Sequence, residues 1–295
     1  MNYTIVIPYR NRAAFLPSTL ASLPIGVPLV LVDNGSTDQS ADICREFAAT
    51  RPHVRCISHE GGGASAARNA GLAEVRTEWV YFFDSDDRFC APTPFFQWDG
   101  VPPCDNLDVV CLRTTMERSD ESGTRLKARA YRPTASPLHQ ILVTMLATQS
   151  MILRTAWLRS IGGWDESLPV WEDWELGLRV LLRKPRLFWA DTAHAYHRIR
   201  LHGDSLTGSN FSDRAPARFA ALKVADQLVS TLAGPVEQPR LHRALDLRRG
   251  ILCGLLLREG YPLGAERPHT FPARCLMHLV KWGLRGAWRI ALLLA

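Results

Sequence analysis

Hydrophobic and polar positions over the first ninety residues alternate between short apolar runs and longer mixed segments. The runs are YTIVI (3–7), VPLVLV (27–32), HVRCIS (53–58) and WVYFF (79–83). Each is rich in β-branched or aromatic residues and short, as buried strands are. The segments between them, such as STDQSADICREFAAT and ASAARNAGLAEV, suit helices. Strand and helix in strict alternation predict a parallel sheet with right-handed crossovers. Further along, WEDWELGLRVLLRK (171–184) puts Trp174, Leu178, Leu181 and Leu182 at i, i+4, i+7 and i+8. That spacing predicts a helix with one buried face, and it leaves Glu172 and Asp173 in the first turn.

In a parallel α/β sheet, ligands sit beyond the carboxyl ends of the strands. The residues expected there are PYRNR, DNGSTD, EGGGASAARN and DSDDRF, so every polar cluster falls on one edge. Taken singly, each has an ordinary reading. DSDD can be a solvated acidic turn, or oxygen ligands for a hard cation such as Mg²⁺ or Mn²⁺. EGGGASAARN can be a flexible loop before a helix, or a close backbone approach to a phosphate with Arg68 as a fork. It is neither a Walker loop nor GxGxxG. DNGSTDQS can be an Asx turn with Ser36 or Thr37 capping the next helix.

Composition narrows the class. With 295 residues and 46% hydrophobic content, the chain has enough apolar material for a sizeable core. The opening MNYTIVIPYR enters a strand at once and lacks a secretory pattern, so a cytoplasmic protein is expected. Seven cysteines without a CxxC pair argue against a disulfide framework or a zinc site, and they read as buried thiols. The net charge of +6 is uneven: residues 216–295 hold 12 Lys and Arg against 5 Asp and Glu, leaving residues 1–215 near neutral.

In order and spacing, IPYRNR, VDNGSTDQS, GGGASAARNAG, YFFDSDD and WEDWELGLRVLL resemble family 2 glycosyltransferases, which are inverting nucleotide-sugar enzymes. The resemblance covers about residues 3–207. It implies a GT-A fold, an α/β architecture with a mostly parallel Rossmann-like sheet, and transfer of a hexose-type sugar with Mn²⁺ or Mg²⁺. Asp86 then matches the direct metal ligand, while Asp84 positions the ribose or a metal-bound water. Asp87 either supports them from behind or is only the solvated turn. Pro8, Tyr9, Arg10, Asp33, Asn34 and Arg68 fall at the donor-binding positions. Asp173 matches the base that deprotonates the acceptor hydroxyl, with Glu172 beside it. Trp171 stands where the family usually has a small residue, which bears on the room left for the acceptor. His202, with His197 as the alternative, matches a histidine that completes the metal shell. Asn34 replaces the commoner second acid of DDGS, the group that reads the nucleotide base.

The organisation expected is a donor half (1–100), an acceptor half (101–215) and a basic helical extension (216–295). Within FPARCLMHLVKWGLRGAWRIALLLA, His278, Lys281, Arg285 and Arg289 are spaced 3, 4 and 4 apart, predicting one basic helix face. The charges argue against a membrane span and fit a helix lying on anionic inner-membrane lipid, on the cytoplasmic face. A helix packed on the domain is the plain alternative. The function expected is transfer from a UDP or TDP sugar to a cell-surface glycan or lipid-linked glycan precursor. The rivals are a sugar-nucleotide pyrophosphorylase, whose glycine-rich loop is missing, and a non-enzymatic basic membrane-binding protein. No nucleic-acid motif is present.

Overall fold

The computed structural model describes residues 2–89, 106–120, 123–128, 133–190, 197–201 and 210–295. In chain order the elements are β1 (Tyr3–Tyr9), α1 (Leu16–Ser22), β2 (Leu29–Asp33), α2 (Ser40–Ala49), β3 (Val54–Ser58), α3 (Gly63–Glu74), β4 (Trp79–Phe82), β5 (Arg88–Phe89), β6 (Val109–Cys111), β7 (Thr114–Asp120) and β8 (Gly123–Ala128). There follow α4 (Pro137–Val143), β9 (Met151–Arg154), α5 (Thr155–Ser160), α6 (Glu172–Leu182), β10 (Leu187–Trp189), β11 (His197–Leu201), α7 (Ala215–Leu232), α8 (Gln238–Arg258), α9 (Phe271–Lys281) and α10 (Ala287–Leu294).

The chain forms two compact units. The first comprises residues 1–133, 148–169 and 185–202. Its main sheet runs β10-β6-β9-β4-β1-β2-β3. β1 pairs in parallel with both β2 and β4, and β2 with β3, while β9 is antiparallel to β4 and β6. The four early apolar runs therefore become four adjacent parallel strands, as their alternation with helices predicts. β1 is buried along its whole length, because helices cover a parallel sheet on both faces. A smaller sheet, β5-β11-β7-β8, extends this unit.

The second unit comprises residues 134–147, 170–184 and 203–295 and is helical: α4, α6, α7, α8, α9 and α10. α6 is not a helix with one buried face. Leu176, Val180, Glu175 and Arg179 are buried along with the expected apolar stripe. Arg179 Nε donates to Glu175 Oε1 at 2.6 Å, which lets that charged side of the helix leave water as a neutralised i, i+4 pair.

The basic tail is two helices rather than one. Gly283 and Gly286, at φ 103° and 69°, end α9 and start α10 from the left-handed region open to glycine. Lys281 and Arg289 therefore belong to separate helices. Ala273, Leu276, Met277 and Val280 of α9 are buried, and Gly250 and Gly254 of α8 allow the close approach: a Cβ at Gly250 would come within 2.4 Å of the Ala273 carbonyl oxygen. Cys44, Cys111 and Cys253 are buried, but Cys275 on α9 is exposed, contrary to the reading of the cysteines as buried thiols.

Candidate active site

The carboxyl ends of β1, β2, β3 and β4 lie side by side, with Tyr9 in register with Asp33 and Asp33 with Ser58. The polar clusters are cross-linked along this edge. Asn11 Oδ1 accepts the Thr37 amide at 2.8 Å, Ser40 Oγ accepts the Arg12 amide at 2.7 Å, and Asp38 Oδ2 accepts the Ala13 amide at 3.1 Å. Asp33 Oδ1 accepts the Ser36 amide at 2.9 Å, forming the Asx turn that DNGS predicts. The helix cap is not there: α2 starts at Ser40, where Asp38 Oδ1 accepts the Ser40 amide. Pro8 and the Tyr9 ring are buried, with burial pushing the Tyr9 hydroxyl up, so Tyr9 meets the edge through its backbone, donating no side-chain group there. Arg10 is exposed.

The buried aromatic run positions the acidic turn. Phe83 stacks on Phe89 with centroids 4.5 Å apart, and Tyr81 meets both rings edge-on. The residues flanking DSDD are thus fixed in the core, and the carboxylates between them are held rather than trailing in solvent. Arg68 Nη2 donates to Asp84 Oδ1 at 2.9 Å, while Gln149 Nε2 donates to Asp84 Oδ2 and, at 3.1 Å, to Asp87 Oδ2. Gln149 is itself set in place by Tyr81, whose hydroxyl donates to its carbonyl at 2.9 Å. Asp86 Oδ2 lies 3.5 Å from Arg12 Nε.

Two sequence readings change here. Arg68 is only 4% exposed, with its guanidinium over the Trp164 ring at 4.5 Å, so it is a buried partner of Asp84 and not an open fork. Asp87 is not a solvated turn. It is 2% exposed, and its Oδ1 accepts the Arg200 amide at 2.9 Å. Arg200 also donates through Nε to the Asp86 carbonyl, through Nη1 to Ser18 Oγ and through Nη2 to Thr19 Oγ1, tying the turn to α1. Burial pushes Asp84 up to about 6 against the pull of Arg68, and it pushes Asp87 well above the usual carboxylate range, with the Asp86 charge adding to it. Three carboxyls crowded in this way fit a cation. Among the described residues no three His, Cys, Asp or Glu side chains converge on one point.

Asn34 lies at the end of β2, 7% exposed. Its Nδ2 donates to the Gly63 carbonyl at 3.2 Å, and its buried Oδ1 has no hydrogen-bond partner among the described residues. Gly61, Gly62 and Gly63 hold consecutive φ values of 87°, 80° and 81°, and a Cβ on Gly62 would sit 2.5 Å from Ala66 Cβ. Only glycine accepts that run cheaply, and the result delivers the Gly63 carbonyl to Asn34.

Asp173 belongs to the second unit. It is half-exposed in the first turn of α6, and its Oδ1 accepts the Trp174 amide at 2.7 Å. Glu172 is buried. Trp171 is the helix N-cap at φ 61°, a conformation that strains a bulky residue by about 1 to 3 kcal/mol. Trp174 is fully buried, its indole N–H donating to the Gln140 carbonyl at 3.0 Å. Arg248 of α8 packs over both tryptophans. His202 lies outside the described residues. His197 begins β11, in register with Phe89 and Thr114. Gln149, Arg200 and Arg248 escaped the sequence reading, since none lies in a motif. For Arg200 the charged alternation of HRIRL was the available signal.

Residues 4–91 match the pattern of glycosyl transferase family 2. Over that stretch the chain is similar to glycosyl transferase family 2. The chain is 27% identical over 224 residues to the minor teichoic acid biosynthesis protein GgaA of Bacillus subtilis, covering 72% of itself and 50% of that protein. It is 27% identical over 209 residues to a pre-mycofactocin glycosyltransferase of Mycobacterium tuberculosis, covering 66% of itself and 42% of the relative. The chain thus spans about half the length of these curated relatives. Its fold is that of the GT-A glycosyltransferases. Residues 1–349 of TarS from S. aureus, solved with UDP-GlcNAc, align over 99% of this chain and 90% of that one, at TM-score 0.62 and 16% identity. The mannosyltransferase PcManGT from Pyrobaculum calidifontis, solved with GDP-Man and Mn²⁺, aligns over 98% of this chain and 82% of that one, at TM-score 0.59 and 16% identity.

Proposed function

We propose that the protein is an inverting, divalent-metal-dependent glycosyltransferase. It moves a hexose-type sugar from a uridine or thymidine diphosphate donor to a hydroxyl of a cell-surface glycan or lipid-linked glycan precursor. The observation that carries this reading is the shared strand edge of the first unit, where the Asn34–Gly63 corner and the Asp84–Asp86 turn stand beyond adjacent parallel strands. The teichoic acid assignment of the GgaA relative and the UDP-GlcNAc bound to TarS favour this donor and acceptor class.

Each residue has a role its chemistry suits. Both Asp84 oxygens are taken by Arg68 and Gln149, so Asp84 orients the ribose or a metal-bound water, and Asp86 is the direct metal ligand. Asp86 would hold a Mn²⁺ or Mg²⁺ ion, which would supply Lewis-acid stabilisation for the charge on the departing diphosphate. Asp173 takes the proton from the acceptor hydroxyl as that oxygen attacks the anomeric carbon. The bond to the diphosphate breaks on the opposite face, its electron pair leaves with the nucleotide, and the configuration inverts. Incubating the pure protein with a panel of nucleotide sugars, with and without Mn²⁺, tests the reading. Metal-dependent release of nucleoside diphosphate is expected. Pyrophosphate chemistry, or no turnover with any donor, would overturn it.

The exposed side of α9 supports peripheral contact with anionic lipid. Phe271 and Trp282 are each 78% exposed, Leu279 is exposed between them, and Arg274, His278 and Lys281 flank the stripe. Exposed aromatics bordered by cations, in a tail carrying most of the basic excess, match the chemistry of an anionic membrane surface. No helix among the described residues is long and apolar enough to cross a membrane.

A further inference from the structure

Arg248 lies on α8, beyond both the matched region and the motifs that resemble the family, yet it packs against the turn that carries Asp173. Its guanidinium carbon sits 4.4 Å from the Trp171 ring centroid and 4.5 Å from that of Trp174. The two rings meet edge-to-face at 5.5 Å and 60°, so the cation closes a three-membered cluster. Nη1 donates to the Ile141 carbonyl of α4 at 2.7 Å, which fixes the guanidinium plane. Its Nε is buried with no hydrogen-bond partner among the described residues, so polar contacts alone do not explain the burial. Burial lowers the guanidinium to about 10, with the Asp173 charge pulling the other way.

The two tryptophans differ in what holds them. Trp174 is fixed without Arg248, since its indole donates to Gln140 and its carbonyl accepts from Gln140 Nε2 at 3.2 Å. Trp171 is half-exposed and sits in the left-handed region with no side-chain cap bond at the start of α6. Its backbone conformation decides where the helix begins, and therefore where Glu172 and Asp173 point. Stacking against a desolvated guanidinium supplies the counterweight to that strain.

We propose that Arg248 is a positioning residue for Asp173: it clamps Trp171 against Trp174 and so fixes the first turn of α6. This rests on the reading of Asp173 as the base, and it extends the working site into the C-terminal helices. The test compares Arg248→Met and Arg248→Lys in the full chain by three measurements. Near-ultraviolet circular dichroism without substrate reads the tryptophan pair, calorimetry with UDP and Mn²⁺ reads donor binding, and transfer kinetics separate kcat from KM. Arg248→Met is expected to keep UDP affinity within about twofold, lose the coupled tryptophan signal and drop kcat by about 10- to 100-fold. Arg248→Lys, still cationic but without the planar fork, is expected to recover part of both losses. Normal kcat in Arg248→Met, or an equal loss of UDP affinity, would overturn the proposal. If Arg248→Met does not fold, Arg248→Lys carries the test, and a variant with wild-type tryptophan signal and kcat refutes the clamp. Normal transfer by Asp173→Asn would remove the base reading instead, and the tryptophan signal of the Arg248 variants would still report whether the clamp exists.

Discussion

The Arg68 guanidinium lies 2.9 Å from Asp84 Oδ1 while its other face covers the Trp164 ring, so one buried arginine holds a carboxylate at the end of a core strand. The 165–167 loop is fastened to the same helix: Asn69 accepts the Trp164 amide through Oδ1 at 2.9 Å and donates through Nδ2 to the Trp164 carbonyl and to Glu166. Replacing Arg68 by Met should therefore act twice. It leaves Asp84 facing Asp86 and Asp87 without its cation, and it unpins the acidic turn. Loss of one partner from a fully buried ion pair costs about 3 to 5 kcal/mol. Asp84 keeps 29% side-chain exposure, so about 2 to 3 kcal/mol is expected by chemical denaturation, together with weaker UDP binding. Unchanged stability would show that the turn is held from elsewhere.

Asp86 is the proposed metal ligand. Its side chain is partly exposed and meets Arg12 at 3.5 Å, and its carbonyl, which takes the Arg200 bond, is kept on substitution, so Asp86→Ala should leave the melting temperature within a few degrees of the parent. Donor hydrolysis and transfer should both disappear, as they should for the parent protein in excess chelator. Full activity of Asp86→Ala with chelator present would remove the metal from the mechanism.

The sheet edge was readable because its signals are local: a short apolar run marks each strand, and the glycines, Asx residues and acids that follow it mark the end. What held the edge together was not readable. Gln149 reaches Asp84 across 65 residues and Arg200 reaches Asp87 across 113, and neither pairing leaves a periodic trace. α6 misled for a different reason. Glu175 and Arg179 look like a solvent face until their mutual neutralisation lets them be buried. In the tail, the charge spacing pointed to one helix, while Gly283 and Gly286 were the stop signals that outweighed it.

Asp173→Asn preserves shape while removing proton affinity. UDP and Mn²⁺ binding should be unaffected, and transfer should fall by about 10² to 10⁴, the range for loss of a general base. Single-turnover transfer measured beside calorimetric UDP binding decides it. Near-normal transfer would mean that the acid serves only the N-terminus of α6, where such a charge is worth about 0.3 to 1 kcal/mol.

Membrane contact has to be tested by surface substitution. Truncating before α9 would strip Ala273, Leu276, Met277 and Val280 from α8, and buried Leu, Met and Val side chains contribute about 1.5 to 3 kcal/mol each. Phe271→Ser combined with Trp282→Ser and Lys281→Glu leaves that packing untouched. This variant should sediment much less with phosphatidylglycerol vesicles than the parent, with donor hydrolysis intact. Equal sedimentation of the two proteins refutes lipid contact through this face.

The nucleotide base is the sharpest test of the donor assignment, and Asn34 carries it. An asparagine amide can in principle turn either end to a ligand, offering oxygen to the N3–H of uracil or thymine and NH₂ to the bare N3 of cytosine. Here the choice is restricted. Nδ2 is committed to the Gly63 carbonyl, and a flipped amide would set oxygen against oxygen there, so Oδ1 is the end left for a ligand. An orphaned buried acceptor costs about 1 to 3 kcal/mol, which a donor N–H from a bound base would relieve. Calorimetry with Mn²⁺ present should therefore rank UDP and TDP above GDP and CMP. Asn34→Asp should keep UDP binding within a few-fold, because a charge-assisted bond to N3–H offsets the lost hold on Gly63. The same variant should abolish any residual CMP binding, because a carboxylate has no proton to donate. Preference of the parent protein for GDP or CMP would overturn the donor assignment and leave sugar transfer itself standing.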